Sequence, residues 1–295
     1  MSDLDELRTF AIAARMGSFA KAARQLNVSP AMVGRRIQTL EERYQLRLIE
    51  RNTRSQSLTE TGRLFLERTQ AVLDATEALA ECSQQQTLSG RIRLTAPTTM
   101  GARWLPRVIS EFTAAHPDVV FEMNISDRWV DLVGEGFDLA VRVGELQASS
   151  LIARRVGRYD FALCASPGFV ERHGALSHPE ELANARCILN LIIVPRDRWT
   201  FHGQQGETVA VTVGGGIEVD NGEAQRMLAL NGAGIAYLPL ALVEDDLKAG
   251  HLLRLLPEWD LMSLPVHTVY PSRTLVPRRV EAFVAALAAS AARSA

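Results

Sequence analysis

The chain has 295 residues, of which 47% are hydrophobic and 22% are charged, and its formal net charge is −2. This length predicts two or three compact units, because a single core rarely grows beyond about 250 to 300 residues. No apolar run approaches the roughly 18 residues of a membrane span, which excludes an integral membrane protein. Asp3, Asp5 and Glu6 stand where a signal peptide would be basic, so we expect a cytoplasmic protein with no membrane partner.

Charge is distributed unevenly between the two ends of the chain. Residues 1–60 hold ten Lys or Arg and seven Asp or Glu, a net charge of +3, so the rest of the chain carries −5. A basic end on an acidic body is typical of a nucleic-acid-binding module attached to another unit. The excess is modest and needs support from local structure.

Three helices are predicted near the N-terminus. The first covers about residues 3–15, where apolar side chains recur at helical spacing. Ser18 is a predicted N-cap for the second helix, which Asn27 ends. Ser29 and Pro30 open the third, with Ser as cap and Pro at the first helical position. Two short helices joined by a tight turn form a helix-turn-helix.

The third helix has two different faces. At about 100° per residue, Val33, Ile37 and Leu40 form one apolar stripe that is expected to pack on the second helix. The opposite face has small residues near its start and Arg35 one turn further on. Small residues let a backbone approach a major groove, and arginine can bind guanine or a phosphate. The alternative is a small helical subdomain with a solvated basic face.

A two-stranded wing is predicted over residues 49–60, with its tip at residues 52–55. Arg51 and Arg54 flank this tip. Arginines on a loop beside a recognition helix are suited to phosphates or to an adjacent minor groove. A solvated loop is the alternative interpretation.

One long helix is predicted from residue 59 to about residue 88. Phe65, Val72 and Leu79 recur every seven residues along it. We expect no nearby core large enough to cover this seam, so the pattern predicts a partner helix from a second copy of the chain. Two copies would also match two half-sites on DNA.

From residue 91 strands alternate with helices, which predicts a largely parallel sheet. The first half predicts strands at 91–96, 119–125 and 138–144, a loop at 97–101, a helix that starts near 105 and ends at 116–117, and a short helix at 130–136. The second half repeats the theme, with predicted strands at 159–166, 198–203, 209–215, 216–221, 234–239 and 265–272. Helices are predicted between them and at the C-terminus. Two such lobes would leave a ligand-binding cleft between them.

With these residues in view, the chain resembles the LysR-type transcriptional regulators along its full length. The N-terminal likeness lies in F-x-x-A-A-R-x-G-S-F-x-x-A-A-x-x-L, which ends at Leu26, followed by V-S-P-A-M-V-G-R-R-I-Q and L-I-E-R-N-T-R. The C-terminal part is similar to effector domains that carry L-T-A-P, G-F-D-L-A-V-R-V-G and C-A-S-P. Gly34 departs from the family pattern, which commonly has Ser or Thr there.

The resemblance implies a multidomain α+β and α/β fold: a winged helix-turn-helix (residues 1–58), a linker and dimerisation helix with its hinge (59–90), and a two-lobed, periplasmic-binding-protein-like effector domain (91–295). Lobe I would comprise residues 91–161 and 268–295, and lobe II residues 162–267. The implied partners are double-stranded DNA, a small effector such as a carboxylate, and further copies of the chain. The copies would form a homodimer through the linker helix and a tetramer of two dimers. RNA polymerase stays open as a partner.

The resemblance also implies site residues. The expected DNA contacts are Ser29, Pro30, Ala31, Met32, Arg35, Arg36, Arg51, Thr53 and Arg54. The expected effector contacts are Thr98, Thr99, Met100, Gly101, Arg142, Gly144, Trp199, Phe201, Asp220 and Asn221. The loop at 98–101 precedes a helix, where N–H groups favour a carboxylate. The alternatives are that the threonines only cap that helix and that Trp199 is a core residue.

Three other functions are weighed against this one. An enzyme is disfavoured because G-x-S-x-G is absent and the six histidines lack metal-ligand spacing, so no catalytic residue, metal or cofactor is expected. A solute-binding protein is disfavoured by the basic N-terminal module. A thiol-switched regulator of the same architecture stays open, although three cysteines at unrelated spacings predict a reducing compartment without a disulfide framework.

Overall fold

The computed structural model describes residues 3–51, 56–83, 87–146, 151–271 and 276–293. For residue 51 and for residues 77, 78 and 80–83 it describes the backbone alone. Within this part of the chain, no helix has the length and apolar character needed to cross a membrane.

The N-terminal domain contains three helices and a hairpin: α1 (Asp3–Met16), α2 (Phe19–Leu26), α3 (Pro30–Tyr44), β1 (Ile49–Arg51) and β2 (Gln56–Leu58). Asn27 ends α2 in the left-handed conformation, with φ 52°. Ser29 caps α3, because its Oγ accepts a hydrogen bond from the Met32 N–H at 3.2 Å. The two β strands pair antiparallel, with Ile49 opposite Leu58. The predicted winged helix-turn-helix is therefore confirmed.

The linker helix α4 (Glu60–Ser83) has 24 residues and is about 36 Å long. Part of its predicted seam packs inside its own domain: the Phe65 ring lies 5.4 Å from Phe10, and Leu66 and Leu73 are buried in the same core. The expectation that nothing nearby covers this seam is wrong for these residues, because α1 packs along the first half of α4. Val72 and Leu79 remain exposed, at 47% and 70%.

The C-terminal domain follows with alternating strands and helices. In chain order they are β3 (Gly90–Ala96), α5 (Thr98–Arg103), α6 (Leu105–Ala115), β4 (Val119–Ile125), β5 (Leu139–Val143), β6 (Leu151–Ala165), α7 (Pro167–His173), β7 (Arg186–Asn190), β8 (Arg198–His202), β9 (Thr208–Thr212), β10 (Gly214–Val219), α8 (Gly222–Leu230), β11 (Ile235–Pro239), α9 (Leu240–Ala249), β12 (Leu253–Arg254), β13 (Ser263–Pro271) and α10 (Arg278–Ala292). A short 3₁₀ helix, Pro179–Asn184, precedes β7.

The main strands run in the order β10-β7-β11-β6-β13-β5-β3-β4. Neighbours β3, β4 and β5 are parallel, and so are β10, β7 and β11, whereas β6 and β13 run antiparallel to their neighbours. The long strand β6 joins the two lobes: residues 151–160 pair with β13, and residues 161–164 pair with β11. The domain is thus a two-lobed mixed α/β structure.

Each lobe has its own hydrophobic core. In the first lobe α5, α6 and α10 pack on one face of β3, β5, β13 and the start of β6. In the second lobe apolar residues pack on both faces of β6, β7 and β11. The precise domain boundaries stay a prediction. Because β13 pairs with β5 of the first lobe, the chain returns from the second lobe to the first nearer residue 262 than residue 267.

Three local predictions are corrected. Residues 130–136 form turns and no helix, with the Phe137 N–H bonded to the Leu132 carbonyl at 2.8 Å. The strand predicted at 159–166 begins earlier, at Leu151. Its arginine-rich first half escaped the prediction because a bulge opposite Val266 and His267 breaks the alternation of side chains. The predicted loop at 97–101 already contains the start of α5. Strand β7 was not predicted.

Candidate DNA-contact surface and effector cleft

The outer face of α3 presents the predicted recognition residues to solvent. Val33, Ile37 and Leu40 are fully buried on the inner face. On the outer face the residues of the first turn and Arg35 are exposed, namely Ser29, Pro30, Ala31, Met32 and Arg35. This arrangement leaves a smooth helix start beside a guanidinium, the combination that fits a major groove.

The two arginines of α3 have different surroundings. Arg35 is exposed, and its guanidinium has no hydrogen bond or ion pair with any residue that the structure describes. Arg36 is half-buried, and its Nη1 donates to Thr9 Oγ1 on α1 at 3.0 Å. Arg36 therefore ties α3 to α1, and it is not oriented like a free DNA contact.

A second connection fixes α3 on α1. The Arg43 guanidinium lies 3.0 Å from the Asp3 carboxylate and 2.9 Å from that of Glu6, which is 4% exposed. Solvent screens this attraction less than it screens an ion pair between two exposed groups. The recognition helix is thus held rigidly on the first helix.

The wing contacts stay a prediction. Arg51 takes part in the β1–β2 hairpin opposite Gln56, but its side chain is not described. Thr53 and Arg54 lie outside the described residues.

The first turn of α5 is already occupied by a carboxylate of the protein itself. Asp127 accepts a bond from the Thr98 N–H at 3.0 Å and another from Thr98 Oγ1 at 2.6 Å. An effector carboxylate would have to displace Asp127 to reach these groups. The argument that this helix start is a vacant anion site therefore does not hold for Thr98.

Thr99 lies where the two lobes meet. Its hydroxyl bonds to Tyr159 on the crossing strand β6, and burial raises the pKa of that tyrosine to about 12. Thr99 Oγ1 is also 3.6 Å from the position a Cβ would take on Gly222, at the start of α8 in the second lobe. Met100 and Gly101, the next two residues, are buried in the first lobe, where Gly101 packs against Ile125.

Arg142 is the predicted effector residue with the most unusual surroundings. It is 7% exposed, its Nη1 donates to the Val141 carbonyl at 3.1 Å, and its buried Nη2 has no partner in the described part of the chain. Burial lowers its pKa. The ring of Trp129, 67% exposed, lies 5.5 Å from the guanidinium carbon. His267 stands directly opposite on β13, and its buried Nδ1 also lacks a described partner.

The remaining predicted effector residues have structural roles here. Trp199 and Phe201 are 5% and 0% exposed and pack in the second lobe's core, and the indole N–H donates to the Arg196 carbonyl at 3.2 Å. Asn221 caps α8, since its side-chain oxygen accepts a 2.9 Å bond from the Ala224 N–H. Asp220, next to it in sequence, is exposed. Gly144 ends β5 with φ +99°.

Four residues near the cleft escaped the sequence reasoning: Asp127, Trp129, Tyr159 and His267. They come from three separate segments. The pairing of β4 with β3 brings Asp127 and Trp129 beside the predicted residues, and the pairing of β13 with β5 and β6 brings His267 and Tyr159 there. Tyr159 carried a weak signal, as an aromatic residue with a polar end at the start of a predicted strand. The others had none.

The buried cysteines are placed badly for a thiol switch. Cys164 on β6 and Cys187 on β7 are separated by β11 and face opposite cores of the second lobe. Two strand spacings are about 10 Å, beyond the reach of a disulfide. Burial raises the pKa of both thiols to about 12, so neither is a reactive thiolate at neutral pH. The side chain of Cys82 is not described.

Comparisons with known proteins agree over the whole length. The family described as "Bacterial regulatory helix-turn-helix protein, lysR family" matches residues 4–63, and "LysR substrate binding domain" matches residues 85–292. The HTH-type transcriptional regulator DmlR of Escherichia coli (strain K12) is 34% identical over 283 residues, covering 94% of this chain and 91% of DmlR. PtxR of Pseudomonas aeruginosa is 33% identical over 287 residues, covering 97% and 92%.

Two solved structures are also similar over nearly the whole chain. CrgA, a LysR-type transcriptional regulator from Neisseria meningitidis, is 29% identical, has a TM-score of 0.62 and covers 99% of each chain. The virulence activator AphB of Vibrio cholerae is 28% identical, with a TM-score of 0.61 and coverage of 97% and 98%.

Proposed function

This chain belongs to the LysR family of DNA-binding transcriptional regulators, and from that premise we propose which of its groups contact DNA and effector. The outer face of α3 enters a major groove, with Arg35 as the base-reading side chain. A small carboxylate binds between the lobes on Arg142. Binding of that effector shifts the arrangement of two DNA-bound dimers.

The DNA assignment is supported by the contrast between the two neighbouring arginines. Arg35 is exposed and unpaired in the described structure, whereas Arg36 is engaged with Thr9. A guanidinium that is free before binding can form a two-fold hydrogen bond with guanine without first losing a protein partner. Ala31 and Met32 then lie against base edges, and Ser29 and Pro30 lie near the backbone of the duplex.

The observation that carries the effector class is the buried, unpaired Nη2 of Arg142. A buried polar group without a partner is costly, and a carboxylate that accepts from it removes this cost. Trp129 lies against the same guanidinium, and His267 stands opposite Arg142 on the neighbouring strand, where it adds a polar group. Asp127 binds Thr98 two residues before Trp129, so this segment connects the arginine to the entrance of α5.

Dimerisation through α4 is proposed from its exposed apolar residues. Val72 and Leu79 are seven residues apart and lie on one side of the helix, clear of the core that covers Leu66 and Leu73. A second α4 packed on this stripe would bury them in a coiled-coil seam. Two such dimers make the tetramer that places four recognition helices on DNA.

The test is DNase footprinting of the promoter region beside the gene, with the full chain and a panel of small carboxylates. We expect a protected region containing two half-sites, and a protection pattern that changes with one carboxylate. If no carboxylate alters the protection pattern, the proposed effector class is contradicted, and the DNA assignment still stands. An effector can act only through unequal affinity for the two arrangements.

A further inference from the structure

A cavity of about 300 Å³ lies between the helix-turn-helix domain and the effector domain. One wall consists of α1 and α4, and the other of β3, β4, the turn at Gly136 and α10. Gly136 has φ +69°, and a Cβ there would collide with the Arg15 side chain and lie 3.0 Å from Arg93 Nη1. The side chain of Arg15 therefore reaches from α1 to the surface of the effector domain.

The effector-domain wall has two arginines that share one carboxylate. Glu122 accepts from Arg91 Nη1 at 2.8 Å and from Arg93 Nε at 2.9 Å. Arg93 completes its bonds on the carbonyl oxygens of Glu135 and Gly136, at 2.9 and 2.7 Å. The charge of Glu122 is therefore already divided between two guanidinium groups.

The opposite wall adds two arginines that have no such partner. Arg8 and Arg15 are seven residues apart on α1, and neither has a carboxylate within ion-pair distance among the described residues; the Arg15 Nε donates to a backbone carbonyl one turn earlier, at 3.2 Å. Burial lowers the pKa of Arg15, the charge of Arg93 lowers it further, and the carboxylates of Asp138 and Glu122 act in the opposite direction. Five arginines line the cavity against three carboxylates, those of Asp74, Glu122 and Asp138, so positive charge is in excess there.

We propose that this cavity binds a small dianion, held by Arg8 and Arg15 from α1 and by Arg91 from β3. Guanidinium groups bind phosphate and carboxylate oxygens through pairs of parallel hydrogen bonds, and an anion would relieve the repulsion between Arg15 and Arg93. The volume is at the lower limit of small-molecule sites, which restricts the ligand to the size of a phosphate ester or a short dicarboxylate.

This site is distinct from the effector cleft. Arg91 and Arg93 lie at the start of β3, whereas Thr98 and Thr99 follow its end. Because the two walls belong to different domains, a bound dianion favours the docked arrangement over any arrangement that separates them. Arg43 and Arg36 fix α1 to α3, so docking also sets the orientation of the recognition helix. The anion would regulate DNA binding independently of the cleft.

The experiment is isothermal titration calorimetry of the full-length protein at constant ionic strength, with inorganic phosphate and, separately, with succinate. We expect saturable binding of at least one of them at one site per chain, and the dianion that binds identifies the ligand chemistry. Arg8→Gln and Arg15→Gln should each weaken binding about tenfold to hundredfold. Arg254→Gln is the matched control, because it removes an exposed arginine of the second lobe, and it should bind as the wild type does.

The proposal is overturned if neither dianion binds saturably, or if binding survives in both α1 variants. Circular dichroism checks folding, and if Arg15→Gln does not fold, Arg8→Gln alone decides, since Arg8 is exposed. If Arg142→Gln abolishes binding while the α1 variants retain it, the anion occupies the cleft and this site is rejected. Failure of the cleft assignment would leave these results unaffected.

Discussion

The proposed DNA-contact face of α3 and the proposed effector cleft differ in how their side chains are arranged before any partner binds. The residues of α3 that we propose for DNA contact lie close together in sequence and are exposed, and Arg35 has no described partner. In the cleft Thr98 is bonded to Asp127, Thr99 to Tyr159, and Asn221 to the backbone of α8. A surface for a rigid macromolecule can be complete on one helix. In the cleft, a small ligand would have to replace existing bonds at these three residues, whereas the buried Arg142 Nη2 has no partner among the described residues and needs no such exchange.

Arg35→Ala should have the largest effect, because it removes the free guanidinium that we propose reads a base. We expect a loss of about 1 to 3 kcal/mol in binding to the operator, with relaxed discrimination at one base pair. Competition assays with single-base operator variants measure this loss. Arg36→Ala is the control: it should lower the free energy of unfolding through its bond to Thr9 and leave base discrimination unchanged. Equal loss of discrimination in both variants would contradict the assignment.

Arg142→Gln tests the cleft. Removal of the unpaired buried guanidinium should weaken effector binding about tenfold to hundredfold, because hydrogen bonds to charged groups contribute about 1.5 to 3 kcal/mol. Operator binding without effector should stay unchanged. Titration of the effector during footprinting measures the shift, and Arg172→Gln, which removes an exposed arginine of α7, is the matched control. Unaltered effector sensitivity would move the anion site elsewhere in the cleft.

Gly34→Ala should stabilise the recognition helix by up to about 1 kcal/mol, because glycine in a helix interior costs about that much. The added Cβ would lie 3.7 Å from the Phe19 ring, in ordinary contact. Gly62→Ala in α4 should do the reverse and destabilise by about 1 to 3 kcal/mol, because its Cβ would collide with the Leu48 carbonyl. Chemical denaturation measures the free energy of unfolding of both variants. If both substitutions raised it, helix propensity alone would explain them.

Replacement of both buried cysteines should have the smallest effect on regulation. With pKa values of about 12, Cys164 and Cys187 are thiolates in only about one part in ten thousand at pH 8. The thiolate fraction rises with pH, so alkylation of the folded protein should be slow at pH 8. The variant with Ser at both positions should answer effector as the wild type does. A peroxide response that this variant loses would restore the thiol-switch alternative.

The first sixty residues could be interpreted almost completely from sequence. Ser29 and Pro30 mark the start of α3, and the spacing of Val33, Ile37 and Leu40 identifies its buried face, so the exposed face follows by elimination. The sequence gives no sign of a contact that crosses between helices. Nothing in the sequence distinguishes Arg36, bonded to Thr9, from its neighbour Arg35.

The effector domain was predictable as a class of fold but less so as a site. Alternating strands and helices indicated an α/β domain, and the family motifs indicated residues near the cleft. The role of Asp127 and the position of His267 opposite Arg142 depend on pairing between strands far apart in sequence. The burial of Trp199 and Phe201 likewise depends on how the β8–β9 hairpin packs.

The sequence by itself determined the helix-turn-helix, its capped recognition helix and the family of the chain, because caps, periodicity and motifs act over a few residues. Only the tertiary structure decided which polar groups are still unpaired. Whether a guanidinium is free depends on what the folded chain brings near it, as the contrast between Arg35 and Arg36 and the buried nitrogen of Arg142 show. Helices and turns depend on residues that are neighbours in sequence, whereas the pairing of charges depends on distances between residues far apart in sequence.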